Sequence, residues 1–119
     1  KYFADEVRKR EEIGASYLEL LKDKKVSLPV VKKDRTSVFA QFTIRSEQRE
    51  ELTAIINANG IPTAIHYPQP LHLQQCYENL GYKLGDFPIA EKAAQEVFSL
   101  PISPFLKRED LAFICQNIS

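Results

Sequence analysis

The sequence predicts an α+β fold in which a small, mostly antiparallel sheet is covered by helices on one face. Segments with helical spacing and segments with strand-like alternation follow one another in the order α-β-β-α-β-α-α-β-α. This order lacks the regular alternation of parallel α/β proteins. The chain has 119 residues, of which 44% are hydrophobic and 27% charged, a composition typical of one globular domain with a modest core.

The first predicted helix covers residues 1–22. Its inward face, at helical spacing, is formed by Ile13, Tyr17, Leu20 and Leu21. The chain begins with Lys1 rather than Met and no capping residue precedes the helix, so we expect the sequence to be a piece of a longer protein. A short strand is predicted at residues 26–31, and Pro29 within it indicates an edge or irregular strand.

The clearest strand is predicted at residues 37–45, where the side chains alternate. One face is expected to carry Val38, Ala40, Phe42 and Ile44, and the other Phe39, Gln41, Thr43 and Arg45. Gln41 therefore lies on a mixed face, which is either solvated or part of a shared interface.

The remaining elements follow from caps, glycines and apolar spacing. Ser46 is the predicted cap of a helix that ends at Asn59-Gly60 and buries Leu52, Ile55 and Ile56. After it we expect a strand at 63–67, a short helix at 73–80, a helix at 88–97, a strand at 98–102 and a helix at 108–118.

Apolar positions define the inward faces of these later helices. The short helix follows from Leu73, Cys76, Tyr77 and Leu80. Asp86 is the predicted cap of the 88–97 helix, whose inward residues are Ile89, Ala93 and Val97. The last helix is expected to bury Leu111, Ile114, Cys115 and Ile118.

Charge and cysteine content limit the class of protein. Sixteen Lys and Arg residues balance sixteen Asp and Glu residues, which argues against nucleic acid as a partner. Every apolar run is shorter than the about 20 residues of a membrane helix, and no signal-peptide pattern opens the sequence. Cys76 and Cys115 lie far apart, so a reduced cytoplasmic protein is the simpler interpretation.

Known catalytic motifs are missing from the sequence, which has no P-loop, GxGxxG, CxxC or GxSxG. The two histidines and two cysteines lack the close pairing of structural zinc ligands, so no metal site is expected. A Cys–His nucleophile pair is disfavoured because Cys76 and Cys115 fall on apolar helix faces, where a free cysteine is usually buried. No catalytic residue is therefore assigned.

The segment Gly60–Tyr82 is the most informative part of the sequence. It holds both histidines and three of the seven prolines. Each proline fixes its own φ and restricts the residue before it, so the segment is expected to present His66 and Tyr67 in fixed positions. His66 is either a structural histidine or a hydrogen-bond donor at the mouth of a site. His72 either begins the short helix or contacts a ligand.

Several linked motifs of the chain resemble the C-terminal domain of DegT/DnrJ/StrS-type sugar aminotransferases, which are fold-type I pyridoxal phosphate (PLP) enzymes. The similar segments occur in the same order and cover nearly the whole chain. They are Gly60-Ile61-Pro62-Thr63-Ala64, His66-Tyr67-Pro68, Pro70-Leu71-His72, Tyr77, Leu80-Gly81-Tyr82, Asp86-Phe87-Pro88, Ala90-Glu91, Ser99-Leu100-Pro101 and the strand from Ser37 to Phe42.

This resemblance implies a domain arrangement. Residues 1–23 would be the helix leading from a missing N-terminal large domain, and residues 24–119 the C-terminal small domain of a homodimeric enzyme. The cofactor lysine and most PLP ligands of such enzymes lie in the large domain, so no PLP is expected to bind this chain alone and the chain itself is expected to be inactive.

The resemblance also implies a reaction and site residues. Family members transfer an amino group, usually from glutamate, to nucleotide-linked keto-sugars for surface polysaccharides, lipopolysaccharides and antibiotics. The substrate-binding residues implied here are His66 and Tyr67, with His72 and Gln41 as weaker candidates. Phe42 stands where family members often have tyrosine, so a hydroxyl contact from that position would be missing.

Two other classes are consistent with the same residues. A regulatory relative would keep the fold without the chemistry, and the absence of a Schiff-base lysine in the full gene would favour it. A free-standing interaction module would be favoured by a start codon directly before Lys1.

Overall fold

The structure, a computed structural model, describes residues 2–118. The long helix α1 covers Phe3–Leu21, and β1 covers Phe42–Arg45. Next come α2 (Arg49–Ala58), two 3-10 helices (Leu71–Leu73 and Gln75–Leu80), α3 (Pro88–Glu96), β2 (Val97–Leu100) and α4 (Arg108–Gln116). The predicted α+β class with antiparallel strand pairing is confirmed.

The sheet is smaller than the sequence predicts. Within residues 2–118 it has two strands, β1 and β2, paired antiparallel with Phe42 opposite Leu100 and Arg45 opposite Val97. The predicted strands at 26–31 and 63–67 contribute one isolated bridge each, from Ser27 to Arg45 and from Ala64 to Ser99. The nearby prolines, which lack N–H donors, explain why pairing does not extend.

The first half of the predicted strand 37–45 is irregular, and its expected alternation fails there. Phe39 has a left-handed φ of 43° and turns its side chain into the core, where it is 8% exposed. Val38 and Ala40 are exposed instead. The alternation holds only in β1, where Phe42 and Ile44 are buried. Tertiary packing of the Phe39 ring beside Phe42, with centroids 5.5 Å apart, overrides the local pattern.

The core joins α1, the sheet and α4. Tyr17 of α1 stacks on Phe42 with ring centroids 4.6 Å apart, and its hydroxyl donates a 2.7 Å hydrogen bond to the Pro101 carbonyl. All four residues predicted to point inward from the last helix are buried: Leu111, Ile114, Cys115 and Ile118. The predictions for Leu20, Ile55 and Ile89 are wrong, because each lies at the edge or on the outer side of its helix and is exposed.

The short helix predicted at 73–80 is also different. Residues Gln75–Leu80 form a 3-10 helix on the surface, so Cys76 is exposed rather than buried. In a 3-10 helix residues i and i+3 lie on the same side. Residues i+4 and i+7, which an α-helix would add to the same inward face, therefore point in other directions. The helix ends at Gly81, whose φ of 76° suits glycine.

Neither of the two predicted caps, Ser46 and Asp86, occupies the N-cap position of its helix. Ser46 Oγ accepts the Gln48 amide hydrogen at 3.1 Å, and α2 begins one residue later. Asp86 Oδ2 accepts the amide hydrogen of Lys83 at 2.7 Å and thereby closes a turn. Phe87 stands at the N-cap of α3, and Pro88, which needs no N–H partner, begins that helix.

Candidate functional site

The candidate site is an open groove of about 540 Å³ between the segment 66–74 and α3. Its floor is small and apolar, made of Ala90, Ala93, Ala94 and Val97. Both histidines of the chain line it. We define the groove by these residues together with Tyr67, Gln69, Pro70, Leu71, Gln74 and Phe87.

The sheet places His66 at one end of the groove. Ala64 pairs with Ser99 of β2 through hydrogen bonds of 3.2 and 2.7 Å, and His66 follows two residues later. The His66–Tyr67 peptide bond is cis, and the two rings meet edge-on with centroids 5.6 Å apart. Nδ1 of His66 is buried and has no hydrogen-bond partner among residues 2–118. Tyr67 is 70% exposed and stands at the rim.

His72 lies in the 3-10 turn Leu71–Leu73, and its side chain is 8% exposed. Its Nε2 is 2.9 Å from Oε1 of Glu91 on α3. Its ring also packs against Phe87, with centroids 4.8 Å apart. His72 therefore joins the floor helix to the opposite side of the groove.

Glu91 is a site residue to which the sequence analysis assigns no role, although it belongs to the Ala90-Glu91 motif. Its carboxylate accepts the amide hydrogen of Gly85 at 2.9 Å and that of Phe87 at 3.2 Å, besides bonding His72. Burial raises the pKa of Glu91, but these hydrogen bonds outweigh it and hold the pKa below its usual value. The sequence contained one sign of this role, since Glu91 lies one turn before Ala94 on the inner face of α3. A charged residue on an inner face needs hydrogen-bonding partners.

The structure brings His66, Tyr67 and His72 together but places Gln41 elsewhere. Gln41 lines a separate depression of about 350 Å³, beside Pro29, Val31 and Arg35. The irregular backbone around Phe39 accounts for this, because it removes residues 37–41 from the sheet.

The groove has hydrogen-bonding groups but little charge. No lysine or arginine lines it among the described residues. Residues 2–118 also contain no group of three or more His, Cys, Asp or Glu side chains placed to hold a metal ion. Over the same residues, none of the helices combines the length and apolarity of a membrane span. The arrangement can bind and orient a ligand through imidazole, phenol and amide groups.

Curated proteins match almost the whole of this chain in sequence. The chain is 43% identical over 113 residues to a pleiotropic regulatory protein of Geobacillus stearothermophilus, covering 92% of this chain and 30% of that protein. It is 37% identical over 117 residues to the UDP-2-acetamido-2-deoxy-3-oxo-D-glucuronate aminotransferase of Pseudomonas aeruginosa, covering 98% of this chain and 32% of that protein.

The fold matches solved structures equally well. S. venezuelae DesV, solved in complex with a ketimine intermediate, superposes with a TM-score of 0.91 at 36% identity, covering 98% of this chain and 32% of DesV. The chain therefore spans about 30% of the length of these curated relatives. The sequence model of one family matches residues 1–119. This chain belongs to the DegT/DnrJ/EryC1/StrS aminotransferase family.

Proposed function

We propose that this chain is the C-terminal small domain of a sugar aminotransferase that acts on nucleotide-linked keto-sugars. Residues 1–23 would be the helix that enters from an N-terminal large domain, and residues 24–119 the small domain. The observation that carries the proposal is the groove, which gathers three implied substrate-binding residues, His66, Tyr67 and His72, along one surface. The P. aeruginosa relative, named as an aminotransferase of a UDP-linked keto-sugar, supports the substrate class.

The groove suits the uncharged part of such a substrate. A diphosphate needs cationic or clustered N–H partners, and among residues 2–118 no lysine or arginine lines the groove. The alanine floor gives close approach to an apolar ring face, and the imidazoles give hydrogen bonds to hydroxyl or amide groups. His66, Tyr67 and His72 would thus orient the sugar, while the diphosphate would be held from outside this chain. Gln41 stays a separate, weaker candidate because it lies in another depression.

Two lysines of this chain, Lys92 and Lys22, do not fit a Schiff base with PLP, the cofactor that aminotransferases of this family use. A Schiff-base lysine must lose its proton near neutral pH. Lys92, on the same helix as the groove floor, instead has its pKa raised by the hydrogen bond to Glu47 and by the charge of Glu96. Lys22 likewise has its pKa raised, by its hydrogen bond to Glu19. In line with the resemblance to enzymes whose cofactor lysine lies in the large domain, we propose that PLP is held by residues outside this chain and expect the isolated chain to be inactive.

Further features of the whole protein belong to the same proposal. Glutamate is the proposed amino donor, and a homodimer in the cytoplasm is the proposed assembly and location. The products would be amino sugars for surface polysaccharides, lipopolysaccharides or antibiotics.

The test uses the whole protein that contains this chain. Purified protein is supplied with PLP, L-glutamate and a panel of UDP- and dTDP-linked 3-keto and 4-keto sugars, and 2-oxoglutarate formation is measured. We expect sugar-dependent 2-oxoglutarate with at least one member of the panel. A protein that binds PLP in a borohydride-reducible form yet releases no 2-oxoglutarate beyond the one equivalent formed when glutamate converts the cofactor to its amine form, with any of these sugars, would contradict the substrate class.

A regulatory role is the second candidate, and one observation favours it: the G. stearothermophilus relative is named as a pleiotropic regulatory protein. A regulator with this fold would use the groove for binding without turnover. Such a protein would leave the PLP visible spectrum unchanged when glutamate is added, whereas the proposed enzyme converts the cofactor to its amine form.

A further inference from the structure

We propose that Glu91 is the positioning residue of the groove, holding His72 and the loop 83–87 in the arrangement that presents His72 to a ligand. This inference rests on the proposed function for the assignment of His72 as a substrate contact. It gives a role to a residue that lies in the Ala90-Glu91 motif but is not among the predicted substrate-binding residues.

The geometry carries the proposal, because one carboxylate connects three parts of the site. Oε1 of Glu91 is 2.9 Å from Nε2 of His72, and the amide of Gly85 reaches both carboxylate oxygens at 2.9 Å. The amide of Phe87, whose ring packs on His72, donates a third bond at 3.2 Å. The carboxylate is itself shielded, with its side chain 11% exposed.

The chemistry of this contact fixes the histidine proton. An ionised carboxylate only accepts hydrogen bonds, so the nitrogen that faces it, Nε2, carries the hydrogen. In the neutral imidazole the other nitrogen, Nδ1, is then an acceptor. No hydrogen bond to Nδ1 occurs within residues 2–118. His72 would therefore select a ligand group that donates a hydrogen bond, such as a sugar hydroxyl or an amide N–H.

Replacing Glu91 by glutamine changes this contact while keeping the size of the side chain. The amide group has one accepting oxygen, and its NH₂ cannot accept the hydrogen that Gly85 points at both carboxylate oxygens. The variant Glu91→Gln must lose at least one of the bonds. His72, Gly85 and Phe87 already share Oε1, so the variant loses the Gly85 bond to Oε2, sets an NH₂ donor against the Gly85 N–H, and removes the negative charge that strengthens the bond to His72.

Glu96 provides a matched control on the same helix. Its side chain is also 11% exposed, and it pairs with Arg45 at 2.6 Å and with Lys92 at 3.4 Å. It lines a different depression, together with Lys24 and Lys25. Glu96→Gln removes a comparably shielded carboxylate and leaves the groove untouched.

The experiment is a double-mutant cycle in the whole protein, using the keto-sugar that the panel above shows to be turned over best. We expect Glu91→Gln to raise KM for that sugar about tenfold, the equivalent of one charge-assisted hydrogen bond, and to change kcat less than about twofold. In a His72→Ala background the same substitution should change KM less than about twofold. Glu96→Gln should leave KM unchanged in either background.

The outcomes separate this inference from the proposed function. An equal rise in KM with and without His72, an equal rise from Glu96→Gln, or no effect of His72→Ala on KM would each overturn the positioning role. Absence of turnover by the unsubstituted protein would instead overturn the proposed function.

Hydrogen exchange then tests the same contact without turnover. Glu91→Gln should speed exchange of the Gly85 and Phe87 amides about tenfold, and Glu96→Gln should not. Unchanged exchange in Glu91→Gln would contradict the inference.

Discussion

The ring of Phe39 lies so close to the backbone of Gly14 that a methyl group at residue 14 would overlap Cδ2 and Cε2 of the ring. This contact explains a glycine in the middle of α1, where glycine costs about 1 kcal/mol relative to alanine. It also explains why Phe39 leaves the strand pattern, since its left-handed φ turns the ring toward the helix. The contact joins α1 to the irregular segment that precedes β1.

Gly14→Ala should therefore destabilise the chain, although alanine is the better helix former. We expect a loss of about 1–3 kcal/mol in the free energy of unfolding, measured by urea denaturation, because an overpacked ring must move. In a Phe39→Ala background the same change should be neutral or stabilising. Equal losses in both backgrounds would show that the ring is not the cause.

The two cysteines should differ sharply in reactivity. Cys76 is exposed, whereas burial raises the pKa of the Cys115 thiol to about 11. At pH 8 the thiolate of Cys115 is about 100-fold scarcer than that of an ordinary thiol, and the buried sulfur is also shielded from reagents. The thiol of Cys76 should react promptly with a maleimide, and that of Cys115 only after denaturant is added. The variant Cys76→Ser should show no prompt labelling; prompt labelling in it would contradict the burial of Cys115.

Acid should destabilise the chain through two glutamates. The hydrogen bond from Arg45 holds the pKa of Glu96 below its usual value. Burial raises the pKa of Glu91, but the hydrogen bonds from Gly85, Phe87 and His72 lower it by more, so the pKa of Glu91 is also below its usual value. Because both pKa values are lower in the folded chain, the unfolded chain takes up protons first as pH falls. The stability that these groups contribute is present above about pH 4.5, the unfolded value, and is lost as pH falls through the folded values.

Urea midpoints of the glutamine variants measure this acid effect. Glu91→Gln and Glu96→Gln should each lower the midpoint most at neutral pH, and the difference from the unsubstituted chain should shrink below about pH 4. A difference that stays constant from pH 7 to pH 3 would show that the lowered pKa values do not contribute.

Regular spacing made parts of this structure predictable. The last helix repeats apolar residues at 3.6-residue spacing, and Leu111, Ile114, Cys115 and Ile118 are buried as expected. The segment Gly60–Tyr82 was predicted to present His66 and Tyr67, and both line the groove, while their contact with a ligand stays a prediction. Helix α2 ends at Ala58, and Gly60 just after it has a positive φ of 76°, in line with the predicted end at Asn59-Gly60.

Long-range packing decided what the sequence could not show. The side chain of Phe39 packs in the core against Gly14, which lies 25 residues earlier. The alternation of residues 37–45 does not predict this contact. The role of Glu91 depends on amides from a loop and a ring from a 3-10 turn, which only the folded chain brings together. Gln41 was grouped with the histidines by resemblance, while the irregular backbone before β1 places it in another depression.

We propose that the groove binds the sugar substrate and that PLP binds to residues outside the groove. The most direct test compares His66→Ala with the unsubstituted whole protein, measuring KM for the keto-sugar and the dissociation constant for PLP in the same preparations. We expect KM to rise about tenfold, as for a lost hydrogen bond in the groove, while PLP affinity changes less than about twofold. Equal losses of sugar and PLP affinity would show instead that His66 is a structural histidine.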